Sequence, residues 1–234
     1  MKISFGNKLY LYFVVLIVCG MLGVLAVYFV NEHNNNGTIT YGENFKVTYV
    51  GGTNTRNSYE QYVKNASLFW STMLSEKQEI KISVSTINES WNVLAKGGPF
   101  SENNLKGGGV IYFNKNASAF NWNDVAKHEM GHVLGIGTNQ KWKNAIINLE
   151  GDKFLNSAVF PRTNQVYLME FGGSMGHIPL SQGGGHFSEE IFDTELMTPY
   201  SESLNVRQPA TKLTLMALKE LGWEVDLNKA ENKN

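Results

Sequence analysis

His128-Glu129-Met130-Gly131-His132 gathers two imidazoles and one carboxylate into five residues. On a helix, residues four apart lie on one face, so His128 and His132 can direct both rings at a single ion. Two neutral imidazoles suit Zn²⁺, which favours N and S ligands in tetrahedral geometry. Glu129, next to the first ligand, is placed to hydrogen-bond water at the metal rather than the metal itself. This is the HExxH arrangement of zinc hydrolases, two ligands plus a general base. A solvated helix can carry the same five residues without any chemistry, so the reading depends on a third ligand.

A catalytic zinc takes three protein ligands and leaves a fourth position for water. The chain has five His. His33 stands in a polar linker, which leaves His177 and His186. In the extended motif H-E-x-x-H-x-x-G-x-x-H, the last His falls three residues after the Gly. Here that position is Thr138, after Gly135-Ile136-Gly137, so the extended motif fails. The third ligand must come from His177 or His186, or from a carboxylate such as Glu150, Glu170, Glu189 or Glu190. The single cysteine, Cys19, lies in an apolar run, which excludes a disulfide within the chain and a thiolate ligand outside that run.

The elements that must position these residues are partly visible in the pattern. A helix is expected over residues 122–134, with Val125, Met130, Val133 and Leu134 toward the core and Gly135 just past its end. Before it, residues 45–50, 80–87 and 107–113 read as strands. Residues 58–74 read as a helix, with Tyr62, Ala66, Phe69, Trp70 and Met73 at helical spacing. Residues 137–185 read mostly as loop, with short helices near 141–149 and 165–171. Trp142, Tyr167, Phe171 and Phe187 are expected in the core. A last helix is expected over residues 209–221, stopped by Gly222. Strands come first and helices later, without βαβ alternation, which points to an α+β fold.

The net charge of −1 shows no basic block and gives no support to nucleic-acid binding. Residues 9–30 form an unbroken apolar run, long enough to cross a hydrocarbon core of about 30 Å. It is longer than a cleavable signal core, and no small-residue cleavage site follows it, so an uncleaved signal anchor is expected. Lys2 and Lys8 precede the run and no Lys or Arg follows until Lys46. That bias puts residues 1–8 in the cytoplasm and the remainder on the outer side of the membrane. Residues 31–39 read as a linker, 40–226 as the globular domain and 227–234 as a polar tail.

Downstream of Gly183-Gly184-Gly185-His186 comes Glu195-Leu196-Met197-Thr198-Pro199, a His followed by a Met in a turn-like Met-Thr-Pro. This pattern resembles the leishmanolysin-like family of metzincin metallopeptidases, whose third His stands far downstream on a segment ending in a Met-turn. Residues 93–99 resemble the family's segment before the edge strand, 109–113 that edge strand, 131–138 the continuation of the zinc helix, and 213–223 the closing helix. The resemblance covers roughly residues 40–226. It implies one catalytic Zn²⁺ on His128, His132 and His186, with His177 as the rival third ligand. It further implies Glu129 as general base and Met197 beneath the metal. The implied activity is that of a zinc endopeptidase, its protein or peptide substrate extended along Val110, Ile111, Tyr112 and Phe113 by β-augmentation.

The chain also departs from the family. It has no cysteine to block a zinc ion, and the domain is expected to follow the apolar run without a pro-segment, so a constitutively competent minimal domain is expected. Two other classes compete. One is a zinc-containing surface domain with a binding or structural role and no proteolysis, against which the intact Glu129 argues. The other is a zinc hydrolase of a non-peptide amide.

Overall fold

The computed structural model describes residues 14–17, 24–27, 39–41, 45–51, 53–119, 121–174, 176–203 and 205–232, with side chains from Tyr59 onward. The chain divides into two units, residues 1–37 and 38–234. In the first, β1 (Val14–Ile17) and β2 (Val24–Val27) pair antiparallel, with Val14 opposite Val27. The expected membrane anchor over 9–30 otherwise falls on residues outside those described, as do Cys19 and His33. Among the described residues, no helix is long and apolar enough to cross a membrane.

The second unit opens with β3 (Ile39–Tyr41), β4 (Phe45–Gly51), α1 (Thr53–Met73), β5 (Gln78–Ile87), β6 (Ala95–Pro99), β7 (Gly109–Asn114) and α2 (Trp122–Val133). Five strands form one sheet in the order β3-β4-β5-β7-β6. β4, β5 and β7 run parallel, and β3 and β6 are antiparallel edges. Adjacent parallel strands need a long crossover, and α1 supplies it between β4 and β5. The expectation that no βαβ unit occurs is therefore corrected for this pair. The reason is that residues 45–50 and 80–87 read equally well as antiparallel neighbours; their relative direction is set by α1 packing back on the sheet.

Alternation along β5 sends Ile80, Ile82 and Val84 inward, joined by Ile111 and Phe113 of β7. α1 meets them with Val63, Ala66, Trp70 and Met73, and α2 with Val125, Ala126, Met130 and Val133. The Trp70 indole donates to Lys127 O at 3.0 Å and ties the two helices together one residue before His128. Burying apolar surface at roughly 25 cal/mol per Å² makes this layer the chief source of the unit's stability.

Beyond α2 the chain forms α3 (Gln140–Asn144), β8 (Ile146–Leu149), β9 (Asp152–Leu155), α4 (Pro161–Glu170), β10 (Ile178–Pro179), α5 (Glu189–Phe192) and α6 (Lys212–Leu221). The region expected to be mostly loop thus contains a second sheet, β10-β9-β8. Its hairpin turns on Glu150 at φ 54° and Gly151 at φ 97°, the two positive angles of a type I′ turn. A Glu at the first position is a poor sequence signal for that turn, which is why the hairpin escapes a pattern reading. Trp142, Phe187 and Tyr167 are buried as expected, and Phe171 packs against the core. The whole is a mixed α and β architecture with small sheets, compatible with the α+β class.

Candidate metal centre

α2 starts at Asn121, whose side chain accepts from the amides of Asn123 and Asp124. It ends at Gly135, held at φ 111°. Between these stops His128, Glu129 and His132 stand on consecutive turns. His186 arrives from a tight loop closed by Gly184 N donating to Ser181 O at 2.8 Å and Ser181 N donating to His186 O at 3.0 Å. That loop reaches α2 because Gly137 has no side chain, since a Cβ there would lie 2.0 Å from Gly185 O. Two further buried indoles brace the same region. Trp223 donates to Leu134 O at 2.7 Å, and Trp142 donates to Gly184 O at 2.9 Å.

The three Nε2 atoms converge: His132 to His128 is 3.0 Å, His132 to His186 is 3.0 Å and His186 to His128 is 3.1 Å. His128 Nδ1 lies 2.7 Å from Leu196 O, and His132 Nδ1 lies 2.8 Å from Ile136 O. A carbonyl oxygen only accepts, so in both rings Nδ1 carries the proton and Nε2 presents a lone pair. Two bare lone pairs therefore face each other at 3.0 Å, with a third nitrogen equally close. A shared proton can bridge one pair but not three nitrogens at once. A metal ion satisfies all of them, and the spacing lies within about 0.3 Å of the edge of a tetrahedron with bonds of roughly 2.0 Å. The carbonyl acceptors on Nδ1 are the partners that metal-ligating histidines ordinarily use. His128, His132 and His186 thus form a largely buried group that could hold a metal ion.

Among the described residues the other sequence candidates stand apart from this group. His177 Nδ1 accepts from Ser157 N at 3.1 Å. Glu170 pairs with Lys212, and Glu189 lies with Asp193 and Glu202 in a separate acidic group. Glu150 and Glu190 are exposed. Thr138, which holds the position of the missing nearby His, donates its hydroxyl to His132 O at 2.5 Å and so closes the end of α2 instead. Met197 is fully buried beneath α2, its sulfur against Gly131, where an added Cβ would lie 2.5 Å from Sδ. The Gly inside the HExxH stretch is what lets the Met-bearing turn seat there.

Glu129 is 6 % exposed and lines one cleft together with His128 and His186. Burial pushes its carboxyl up to about 8, while the Gly97 N–H and the nearby Lys96 pull it back. Asn92 to Ala95, Val125, Thr198 to Ser201 and Gln208 also line the cleft. Val93 to Ala95 and Thr198-Pro199 fall within the segments that carry the family resemblance, whereas nothing in the sequence pointed to Asn92, Ser201 or Gln208.

The expected substrate strand is corrected. Val110, Ile111, Tyr112 and Phe113 lie in β7, which is paired on both sides, by β5 and by β6. It has no free backbone groups to offer. The open edge belongs to β6, whose Ala-Lys-Gly-Gly-Pro composition has low strand propensity and becomes a strand only by pairing with β7. Leu94 O accepts from Asn114 N, and Phe100 N donates to Gly108 O. Even-numbered residues therefore face β7, and Ala95, Gly97 and Pro99 face the open edge. The Gly97 N–H is already given to Glu129.

Burial lowers the pKa of all three His. His128 falls to about 3, with His132 adding to the effect. His132 and His186 are lowered for the same first reason. The sign for the metal-free chain follows directly. Below about pH 6.5 the unfolded chain takes up protons that the folded site refuses, so stability is lost as pH falls. Each His contributes about 1.4 kcal/mol per pH unit, and the raised carboxyls of Glu129 and Glu195 act with the opposite sign over the same window, so a net loss of about 1.4 kcal/mol per unit is expected as pH falls. Urea midpoints of chelated protein between pH 7 and 5 measure it. A flat profile would mean that the three rings are solvated and apart.

Compared with known proteins, the chain matches no protein-family model and no curated sequence.

Proposed function

We propose that this chain is a zinc-dependent endopeptidase of the leishmanolysin-like metzincin type. The observation that carries the reading is the convergence of three imidazole Nε2 atoms within 3.1 Å, with the buried carboxylate of Glu129 in the same cleft. An all-imidazole donor set, with no thiolate and a carboxylate held back as base, suits zinc. The chemistry that zinc supplies when bound is Lewis acidity, which polarises a carbonyl and acidifies water. Glu129 takes a proton from the attacking water and passes it to the leaving amine. Val93, Leu94 and Val125 line the same cleft and supply its apolar surface beside that carboxylate.

The peptide lies along the open edge of β6, pairing with the N–H and C=O of Ala95 and the C=O of Gly97. An available strand edge favours an extended peptide over a compact non-peptide amide. Glu129 favours catalysis over a purely binding role, because a burial-strained carboxylate contributes nothing to holding a ligand set of three His. The apolar run over 9–30 anchors the domain, which then acts on the outer side of a membrane.

Digestion of casein or a peptide library, with and without chelator, tests the activity. Cleavage that is lost on chelation and restored by zinc is expected, and no cleavage under any metal would refute the proposal. Ala95→Pro removes one edge donor and is expected to raise KM for long peptides about tenfold, the worth of one hydrogen bond of about 1.4 kcal/mol. Peptides too short to reach β6 should respond little.

A further inference from the structure

We propose that Glu195 positions and tunes the metal ligand His128 through a single peptide unit. The Glu195 carboxylate accepts the N–H of Met197 at 2.6 Å, and Leu196 O accepts the Nδ1–H of His128 at 2.7 Å. That N–H and that C=O belong to one planar, resonance-coupled amide. An anion on the N–H side shifts electron density toward the oxygen, which strengthens it as an acceptor. A stronger acceptor on Nδ1–H holds the ring in place and makes Nε2 a better donor to a metal. The inference rests on the metal-centre reading above and adds a residue that the HExxH pattern does not contain.

Glu195 is fully buried, and the donors to it are all neutral. Its two oxygens divide the work. Oε1 accepts from Thr214 Oγ1 at 2.6 Å, Thr211 N at 3.2 Å and Thr211 Oγ1 at 3.2 Å. Thr211 is the N-cap of α6, where the helix dipole favours an anion. Oε2 is given to the Met197 amide alone. The helix end thus fixes the carboxylate, and the free oxygen is aimed at the peptide that orients His128. The next carbonyl, Met197 O, accepts from Phe187 N at 3.1 Å, so the same turn also braces the residue after His186. A neutral side chain could join the turn to α6 without the cost of burying a charge. Burial pushes the Glu195 carboxyl up to about 7 while the bonds from Thr214, Met197 and Thr211 pull it back, so the anion prevails above that pH and the measurements below belong at pH 8.

Co²⁺ binding to the full chain is the test, read by chelator competition and by the visible d–d spectrum. Wild type should bind Co²⁺ with tetrahedral-type bands. Glu195→Gln keeps the shape and removes the charge, and is expected to weaken Co²⁺ binding roughly 10–100-fold and to shift the bands. Thr214→Val removes a donor from Oε1 only. It should lower the unfolding midpoint yet leave affinity and spectrum near wild type. Unchanged affinity in Glu195→Gln overturns the relay alone, as does Thr214→Val weakening Co²⁺ as much as Glu195→Gln does. A wild-type chain that binds no Co²⁺ overturns the metal centre and the relay together. Should Glu195→Gln fail to fold, the Met197 amide proton of the wild type decides the matter by NMR. It is expected far downfield and should move further on adding Zn²⁺, and an amide that does not move refutes the relay.

Discussion

Glu129→Gln is expected to leave the metal bound and to remove peptide hydrolysis. The amide has the size of the carboxyl, and its Oε1 can still accept the Gly97 N–H, so the three imidazoles keep their positions. What is lost is a group able to take and return a proton, worth about 10²–10⁴ in rate. The variant should also separate catalysis from stability. Burial raises the wild-type carboxyl from its ordinary value to about 8. A carboxyl with a raised folded pKa contributes stability that is present below about pH 4.5 and lost as pH climbs toward 8. At pH 7 the metal-free wild type carries most of that loss, whereas the Gln variant carries none. Metal-free Glu129→Gln should therefore be the more stable protein at pH 7, by up to about 3 kcal/mol. Metal analysis, a peptide assay and urea unfolding give the three readings. Cleavage at the wild-type rate would remove Glu129 from the mechanism.

His186→Ala should abolish both metal retention and proteolysis, whereas His177→Ala should change neither. His186 supplies one of three converging nitrogens, and His177 is engaged with Ser157 elsewhere. Loss of a ligand is expected to weaken binding by more than the roughly 10–100-fold that loss of a ligand's supporting partner costs. The same contrast should appear in thermal unfolding. At a metal concentration 100 times Kd, binding stabilises the fold by about 2.7 kcal/mol. For a unit of this size that is a rise in Tm of roughly 5–10 °C, lost on adding chelator. Wild type and His177→Ala should show the chelator shift, and His186→Ala should not. If His177→Ala is the variant that loses metal, the ligand assignment is reversed.

The two halves of the candidate site differ in how they could be read. His128 and His132 were legible because four residues make about one helical turn, and Gly135 marks the end of that helix. His186 is one of several candidates in spacing alone, because 54 residues separate it from His132, and only the resemblance carried by the Met-Thr-Pro context singles it out. No spacing rule connects them, and the approach depends on Gly137 leaving room for Gly185. The strand expected at the sheet edge differs from the observed one for a related reason. Residues 110–113 look like a strand and are one, but being a strand says nothing about lying at an edge. β6, with two glycines and a proline, looks like none.

Periodicity, the stop at Gly135 and the HExxH spacing are written in local covalent geometry, so the sequence by itself determined α2, its two His and its Glu, and much of the core that supports them. The convergence of the third imidazole, the free edge of β6 and the contact from Glu195 through one peptide to His128 were decided only by the tertiary structure. Each depends on which distant segments lie against each other. That outcome is set by packing across the whole domain and by hydrogen bonds between backbone groups that every residue carries, so no residue type announces it.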